Sequence, residues 1–483
     1  MSETSNMTAF EKPLSRWAKI VYGTGDWGRA SYNTLRQIFY AIFLTDVVGL
    51  DPRLASLAAL VSIIWDAIND PLIGSLSDNV RTRWGRRRPF LLLFSIPFAL
   101  AFLLLWWAPP WKTQLMLLIH VTLAFMVSDT IQTLVTVPYL SLTPEIAPGY
   151  DERTSLTSFR MFFNLIASLV TAVSAPIIID TVLKAGYSLQ QGYLTIAALF
   201  GGLASLPFIL IFVFIKEKDT SSDIPRENLR FRQILVMLWQ NTPFHYATGI
   251  YVLNWISFDI VALMLPYFLL YWIGQGDLLA KVNILGGISL EAVVLGVMML
   301  VATLTIPFWN QVARRYSKRS AYIAGMVFWV IIQSTVLFIH PGQTTLIILI
   351  ALLAGISVSN AHIMPEAMFP DVIDWDELRT HARHEGTYYG AINFIRKLSS
   401  AIAIFLALQV LGWFRYQSPP EGITVFTQPD SALLAIRLLT GPAIILMLSS
   451  AIFISIKYPI SRERQKRIRR SLLRRKLHDQ QRA

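Results

Sequence analysis

Stretches of about twenty apolar residues recur from one end of this 483-residue chain to the other. Each is long enough to cross the ~30 Å hydrocarbon core of a bilayer as a helix. Composition agrees. Only 15% of the residues are charged and 54% are hydrophobic, whereas soluble domains carry roughly 25% charged residues. The chain therefore reads as an all-α, multi-pass membrane protein.

Twelve candidate transmembrane helices follow, at roughly 28–50, 55–77, 89–108, 115–141, 160–183, 191–215, 245–273, 284–310, 320–339, 345–369, 387–412 and 432–456. The longest polar connection, "KEKDTSSDIPRENLRFRQ" from Lys216, falls after the sixth span. It divides the chain into a six-helix half at 1–215, a central loop at 216–244, a second six-helix half at 245–458 and a basic tail at 459–483. Alternate loops are rich in Lys and Arg, as in "RTRWGRRR" from Arg81 and "RRYSKR" from Arg314. Positive loops stay cytoplasmic, so both termini are expected inside the cell, with the protein in the inner membrane. From Lys457 onward the tail carries eleven basic residues and two acids, nine of the twelve net positive charges. Retention of topology and attraction to anionic lipid explain such a tail. It also fits an amphipathic helix lying on the bilayer; nucleic acid is not an expected partner. The polar N-terminus lacks the apolar core of a signal peptide. With no cysteine, thiolate chemistry is excluded.

The two halves echo each other. Spans two and eight each precede a short basic loop. Spans four and ten each precede an acidic and then a basic segment, with Pro144-Glu145 and Pro370-Asp371 in matching places. Two similar six-span halves define the major facilitator architecture, whose substrate site lies near mid-membrane.

Within the spans, a few polar residues stand out. Asp66, Asn69 and Asp70 interrupt the apolar run "SLAALVSIIWDAINDPLIGSLS". Positions i and i+4 share a helix face, so the two carboxylates border one side of span two. An ionised carboxylate facing lipid is costly; it is kept where it meets a cavity, a counter-charge or an ion. Two carboxylates, an amide and a neighbouring hydroxyl supply the oxygens a cation needs, while mutual repulsion favours a carboxylate that carries a proton. A packing network is the alternative. Span four, "SDTIQTLVTVPYL", offers Asp129, Gln132, Thr133 and Thr136. Asn393 and Lys397 share a face of span eleven, and Lys397 is either a counter-charge or a snorkelling anchor. Arg29 and Arg160 open their spans, as interfacial anchors or as site residues. His362 and Glu366 share a face of span ten, and Asp259 and Glu291 lie in spans seven and eight.

The motifs "YGTGDWG" from Tyr22, "TDVVGL" from Thr45, "IWDAINDPLIG" from Ile64, "RTRWGRRRPFLL" from Arg81 and "PDVIDWDELRTHARHEGTYYG" from Pro370 together resemble the glycoside–pentoside–hexuronide:cation symporter family, typified by the melibiose permease. The resemblance runs from about residue 20 to 460. It implies a cation site of Asp66, Asp70, Asn69 and Thr133 for Na⁺ or H⁺. It also implies a solute cavity lined by Arg29, Arg160, Lys397, Asn393, His362, Thr136 and Gln132. The family's galactoside-gripping carboxylates fall on Ala30 and Thr136, and its tryptophans on Leu140 and His362, so the galactoside site is not retained in form. "VPYLSLTPEI", "YDERTSLTSFRM" and "MFPDVIDWDELRT" also resemble the lysolipid carriers of the same superfamily.

The resulting expectation is a twelve-helix symporter that couples Na⁺ or H⁺ to a sugar, glycoside or related polar solute by alternating access. A lysophospholipid carrier and a non-transporting sensor are the alternatives. Arg86 and Arg87 are expected to pair with Asp371, Asp374 and Glu377 across the halves as an inner gate. No cofactor, enzymatic activity or stable oligomer is expected; the partners are solute, cation and membrane lipid.

Overall fold

A computed structural model describes residues 14–147, 150–216, 231–278, 281–282, 287–382, 384–420 and 422–482. Its contacts divide the chain into two compact units, residues 1–224 with 418–423 and residues 225–417 with 424–483.

In the first unit, α1 (Arg16–Gly23), α2 (Gly25–Ile42) and a π-helical turn (Phe43–Val47) make up the first span. Then come α3 (Pro52–Asn79), α4 (Arg88–Leu105), α5 (Gln114–Ile146), α6 (Tyr150–Lys184) and α7 (Leu189–Phe214). The second unit contains α8 (Phe231–Gln240), α9 (Thr242–Tyr267) with a π-helical turn (Phe268–Ile273), α10 (Leu290–Arg315), α11 (Lys318–Val336), α12 (Thr344–Thr380), α13 (Glu385–Trp413), α14 (Asp430–Thr440), α15 (Pro442–Ile456) and α16 (Arg462–Arg482). The non-helical pairing is slight: β1 (Lys281–Val282) lies antiparallel to β2 (Ile288–Ser289), within a long connection.

Local chemistry starts these helices. Asp51 caps α3, accepting from Arg53 N at 2.8 Å, with Pro52 at the first helical position. Ser188 and Gln191 close a capping box on α7. Asn241 accepts from Phe244 N at 3.1 Å to open α9.

Among the described residues, ten helices are long and apolar enough to cross a membrane. The first span and α11 are not among them. α2 carries Asp26, Arg29 and Arg36, and α11 opens on Lys318 and Arg319. Packing nonetheless places both in the repeat. In the first unit α2 packs on α6 and α7, α3 on α5, and α4 on α5 and α7. In the second, α9 packs on α13 and α15, α10 on α12, and α11 on α12 and α15. The same helix pairs meet in each half. Glycines permit the closest approaches: a Cβ on Gly28 of α2 would sit 2.5 Å from the Ala204 carbonyl oxygen of α7.

Several helices overrun the hydropathy-based spans. α12 has 37 residues and reaches Thr380, so "DVIDWDELRT" is helical; at 1.5 Å per residue it far exceeds a ~30 Å core. Hydropathy marks where the hydrocarbon ends, and the Asp-, Glu- and Arg-bearing turns beyond it remain helical. The expected central loop contains α8, its stretch 217–230 lying outside the described residues. The tail is the helix α16, packed on α12.

Candidate functional site

The polar interior of the first unit is organised around α3 and α5. Asp66, Asn69 and Asp70 lie within one turn and a half of α3. Thr133 Oγ1 on α5 donates to Asp70 Oδ1 at 3.2 Å. One turn away, Trp65 Nε1 on α3 donates to Thr130 Oγ1 on α5 at 2.9 Å. These two rungs fix the register of the helix pair. Both carboxylates are half-buried, and Asn69 is 5% exposed. Its Nδ2 has no hydrogen-bond partner, so a polar amide is held beside two carboxylates and a hydroxyl with capacity to spare. Pro71 adds an acceptor: it has no N–H to give the Ala67 carbonyl one turn back. Among the described residues no group of three or more His, Cys, Asp or Glu side chains is arranged to hold a metal ion.

A second cluster adjoins it. Arg36 of α2 is ion-paired with Asp129 of α5, which is 2% exposed. Its guanidinium lies over the rings of Tyr32 and Phe125, 5.4 and 4.9 Å from their centroids, and within electrostatic reach of Asp66. Gln132 Nε2 donates to Asn33 Oδ1 at 3.3 Å, and Thr136 sits half-buried on the next turn of α5.

The third cluster is centred on Asp26, which is fully buried. Oδ2 accepts from Arg160 Nε at 2.6 Å and from the Tyr139 hydroxyl at 3.0 Å; Oδ1 accepts from Arg29 Nε at 3.0 Å. Arg160 also donates to Thr143 Oγ1 at 3.3 Å and lies over the Tyr139 ring, 5.2 Å from its centroid. Arg29 and Arg160 thus converge on one carboxylate, a network that ties α2, α5 and α6 together.

In the second unit the equivalent chemistry lies between α9 and α13. Arg396 makes a bidentate pair with Asp259, Nη1–Oδ2 2.7 Å and Nη2–Oδ1 3.0 Å. Its guanidinium stacks over Trp255, 3.9 Å from the ring centroid. His362 of α12 meets Trp255 and Phe258 edge-on, at centroid distances of 4.9 and 4.5 Å. Lys397 is half-buried, and Asn393 is exposed on the turn before it.

Of the residues expected to form the inner gate, Arg86, Arg87 and Asp371 have partners within their own halves. Arg86 and Arg87 each reach Glu145 Oε1 at 2.8 Å, and Arg87 also donates to the Ser141 carbonyl. Asp371 accepts from Lys318 Nζ at 2.7 Å and from Gln465 Nε2 of α16 at 3.2 Å. Asp374 and Glu377 are half-buried on the same extension of α12.

Asp26, Arg36 and Arg396 were not singled out from the sequence. Spacing held a signal for the first two: Asp26, Arg29 and Arg36 fall at i, i+3 and i+10, on one face of α2. Arg396 had none that separates it from its neighbour Lys397.

A polar interior in each of two repeated six-span units defines an integral, multi-pass transporter of the major facilitator fold. Solved structures agree on the fold. The inward-open xylose transporter XylE from E. coli superposes with TM-score 0.57 at 13% identity, over 92% of this chain and 96% of that one. The nucleoside transporter NupG superposes with TM-score 0.60 at 11% identity, over 92% and 98%. The chain belongs to the MFS/sugar transport protein family, whose profile matches residues 21–462. Among its relatives, the uncharacterized symporter sll1374 of Synechocystis is 30% identical over 94% of this chain and 96% of that protein. The uncharacterized symporter YjmB of Bacillus subtilis is 29% identical over 91% of each. A sodium-dependent lysophosphatidylcholine symporter, 1-A of Danio rerio, is 26% identical over 94% of this chain and 88% of that one.

Proposed function

We propose that the chain is a sodium-coupled symporter of a polar solute of the sugar or glycoside class, with its cation site at Asp66, Asp70, Asn69 and Thr133. The observation that carries this reading is the Thr133–Asp70 bond, at 3.2 Å, beside a second carboxylate and a buried amide in the middle of a membrane span. Hard oxygen donors suit Na⁺, and relatives named for sodium dependence favour it over H⁺. Without the ion, two like charges one turn apart repel, and the Arg36 guanidinium is within electrostatic reach of Asp66. With it, the α3–α5 pair is neutralised. A cation that binds one conformation better shifts the balance toward it, and this couples the ion gradient to solute movement. Within the second unit, the Trp255–His362 surface beside the Arg396 guanidinium offers groups for a solute. Carboxylates and guanidinium groups match sugar hydroxyls, and an aromatic face matches the apolar face of a sugar ring.

Uptake into proteoliposomes under an imposed Na⁺ gradient tests the proposal, with a panel of sugars, glycosides and lysophospholipids as solutes. Asp66→Asn and Asp70→Asn are each expected to abolish concentrative uptake while the protein still inserts. Undiminished gradient-driven accumulation in both variants removes the cation assignment.

One observation favours the lysophospholipid reading: an apolar cleft of about 430 Å³ between the end of α4 and the start of α5, lined by Leu104, Trp111, Met116, Ile119 and Leu123, with His120 in its wall. Accumulation of lysophospholipid but of no sugar in the same panel selects that solute, with the cation site unchanged.

A further inference from the structure

We propose that α16 is a seat for anionic phospholipid: one side is fixed to the second unit, and the other presents a basic stripe to the headgroups of the bilayer the chain has just left. Only Lys457 to Ser461 separate α16 from the end of α15 at Ile456. That connection is held. Tyr458 and Ile460 are buried, Arg319 Nη1 donates to the Tyr458 carbonyl at 3.4 Å, and Ser461 Oγ accepts from Arg464 N at 3.3 Å as a cap. A helix started this way stays close to the membrane surface.

Its inner side is anchored along two turns. Arg462 Nη1 donates to the Arg315 carbonyl at the end of α10, at 2.6 Å. Gln465 Nε2 reaches Asp371 of α12 at 3.2 Å, and Arg464 lies 4.5 Å above the Trp375 ring. Ile468 and Leu472, 3% and 8% exposed, continue the packed side at helical spacing.

The opposite side is different in kind. Lys466, Arg470 and Arg474 recur at i, i+4 and i+8, and all are exposed; Arg467 and Arg469 flank them, exposed as well. The acidic side chain described on this helix is Glu463, 4.0 Å from Arg467. Like charges one turn apart repel, so docking alone leaves a strained field that an anionic surface relieves. Basic clusters next to a membrane exit draw acidic lipid by this mechanism. A nucleic acid would have to approach the same negative headgroups within a Debye length, which disfavours it at this position. Since α16 touches both α10 and α12, lipid on its outer stripe braces those two helices. The inference rests on the multi-pass membrane reading and on neither the solute nor the coupling ion.

The chain has no cysteine, so Ser471→Cys in the full-length protein gives a unique site on α16 for an environment-sensitive fluorophore. The labelled protein is placed in nanodiscs of phosphatidylcholine, with or without phosphatidylglycerol, each containing a headgroup-level quencher. Stronger quenching is expected in the anionic discs, reversed by added salt. Lys466→Gln/Arg470→Gln/Arg474→Gln should weaken the helix–bilayer equilibrium on the order of 100-fold. The charge-preserving Lys466→Arg/Arg470→Lys/Arg474→Lys should retain it, which separates lost charge from lost folding. Equal quenching in neutral and anionic discs, or an unchanged signal in the glutamine variant, overturns the proposal. A larger response to short RNA in neutral discs than to phosphatidylglycerol replaces it with a nucleic-acid partner.

Discussion

Arg396 and Asp259 form a bidentate charge pair in the second unit, and a double-mutant cycle on them has a definite sign. The Asp259 side chain is 2% exposed and that of Arg396 24%. Arg396→Gln leaves a carboxylate buried between α9 and α13 without its bidentate donor. Breaking a buried pair from one side costs about 3–5 kcal/mol. Asp259→Asn leaves a guanidinium that keeps the Trp255 face, a contact worth roughly 1–2 kcal/mol, and keeps some access to water; its cost is expected nearer ~2 kcal/mol on the same basis. Removing both charges leaves no orphan. Asp259→Asn/Arg396→Gln should therefore be more stable than Arg396→Gln alone by about 1 kcal/mol, with a coupling of about 3 kcal/mol, the upper end of the range for residues in contact. Thermal inactivation of the detergent-solubilised chain, followed by the fraction remaining monodisperse, ranks the four proteins without assuming two-state unfolding. Additive losses, or a double variant weaker than both singles, refute the reasoning. Uptake by the double variant gives a second reading. If the fold recovers and transport does not, Arg396 touches the solute; if both recover, the pair is a staple.

Three further outcomes are expected. Thr133→Val removes a hydroxyl bonded to a charged oxygen, an interaction worth about 1.5–3 kcal/mol when fully buried; because Asp70 is half-buried, the apparent Na⁺ affinity should fall about 10-fold, with expression unchanged, as measured by the Na⁺ dependence of initial uptake. Lys397→Ala should impair uptake more than Lys281→Ala, since Lys397 lies on a membrane span and Lys281 on β1; equal effects would make Lys397 a surface anchor. The Arg53 side chain, followed by the backbone N–H groups of Arg53 and Leu54, holds the Asp51 carboxyl below its ordinary range. A lowered folded pKa means that the capping contribution is complete above the ordinary carboxylate pKa and is lost as pH falls through the depressed value, so amide exchange in the first turn of α3 should differ between wild type and Asp51→Ala at neutral pH and converge in acid.

The sequence revealed the residues whose presence is costly wherever they point. Asp66 and Asp70 stand out because a carboxylate in an apolar run needs a reason; among the threonines of span four, only the family resemblance singles out Thr133. Direction was harder to read. Arg396 and Lys397 are adjacent, so they project about 100° apart on a helix, and only the position of Asp259 on α9 decides that Arg396 meets it. Arg29 and Arg160 looked like separate contacts for a solute, but Asp26 gathers both, a convergence of α2 and α6 that no spacing along one helix reveals. Opposite charges on one membrane face attract, but the sequence does not say which of them meet. Glu145, at the end of α5, supplies Arg86 and Arg87 from within the first unit, and Lys318 supplies Asp371 from within the second.

The repeat also separates what the two halves share from what one of them carries alone. Each half joins its first span to its fifth with a buried carboxylate and an arginine that stacks on an aromatic ring: Asp26–Arg160 with Tyr139, and Asp259–Arg396 with Trp255. Shared by both halves, this device answers the common need to hold that helix pair in hydrocarbon. The second spans differ. α3 carries Asp66, Asn69 and Asp70 at its middle, whereas α10 has no ionisable residue between Ala292 and Ala313. Both helices pack on the fourth span of their own half, so packing demands nothing of α3 that it does not also demand of α10. The carboxylates of α3 have no counterpart on α10, and a charge kept against a cost of several kcal/mol in hydrocarbon needs a counter-charge or a ligand; Arg36 is within reach of Asp66, and the proposed cation is the other candidate. Moving the pair tests this argument: Asp66→Leu/Asp70→Leu should leave the first unit as stable as wild type or more so, while ending Na⁺-dependent uptake. A fold that collapses without them would make the pair part of the scaffold instead.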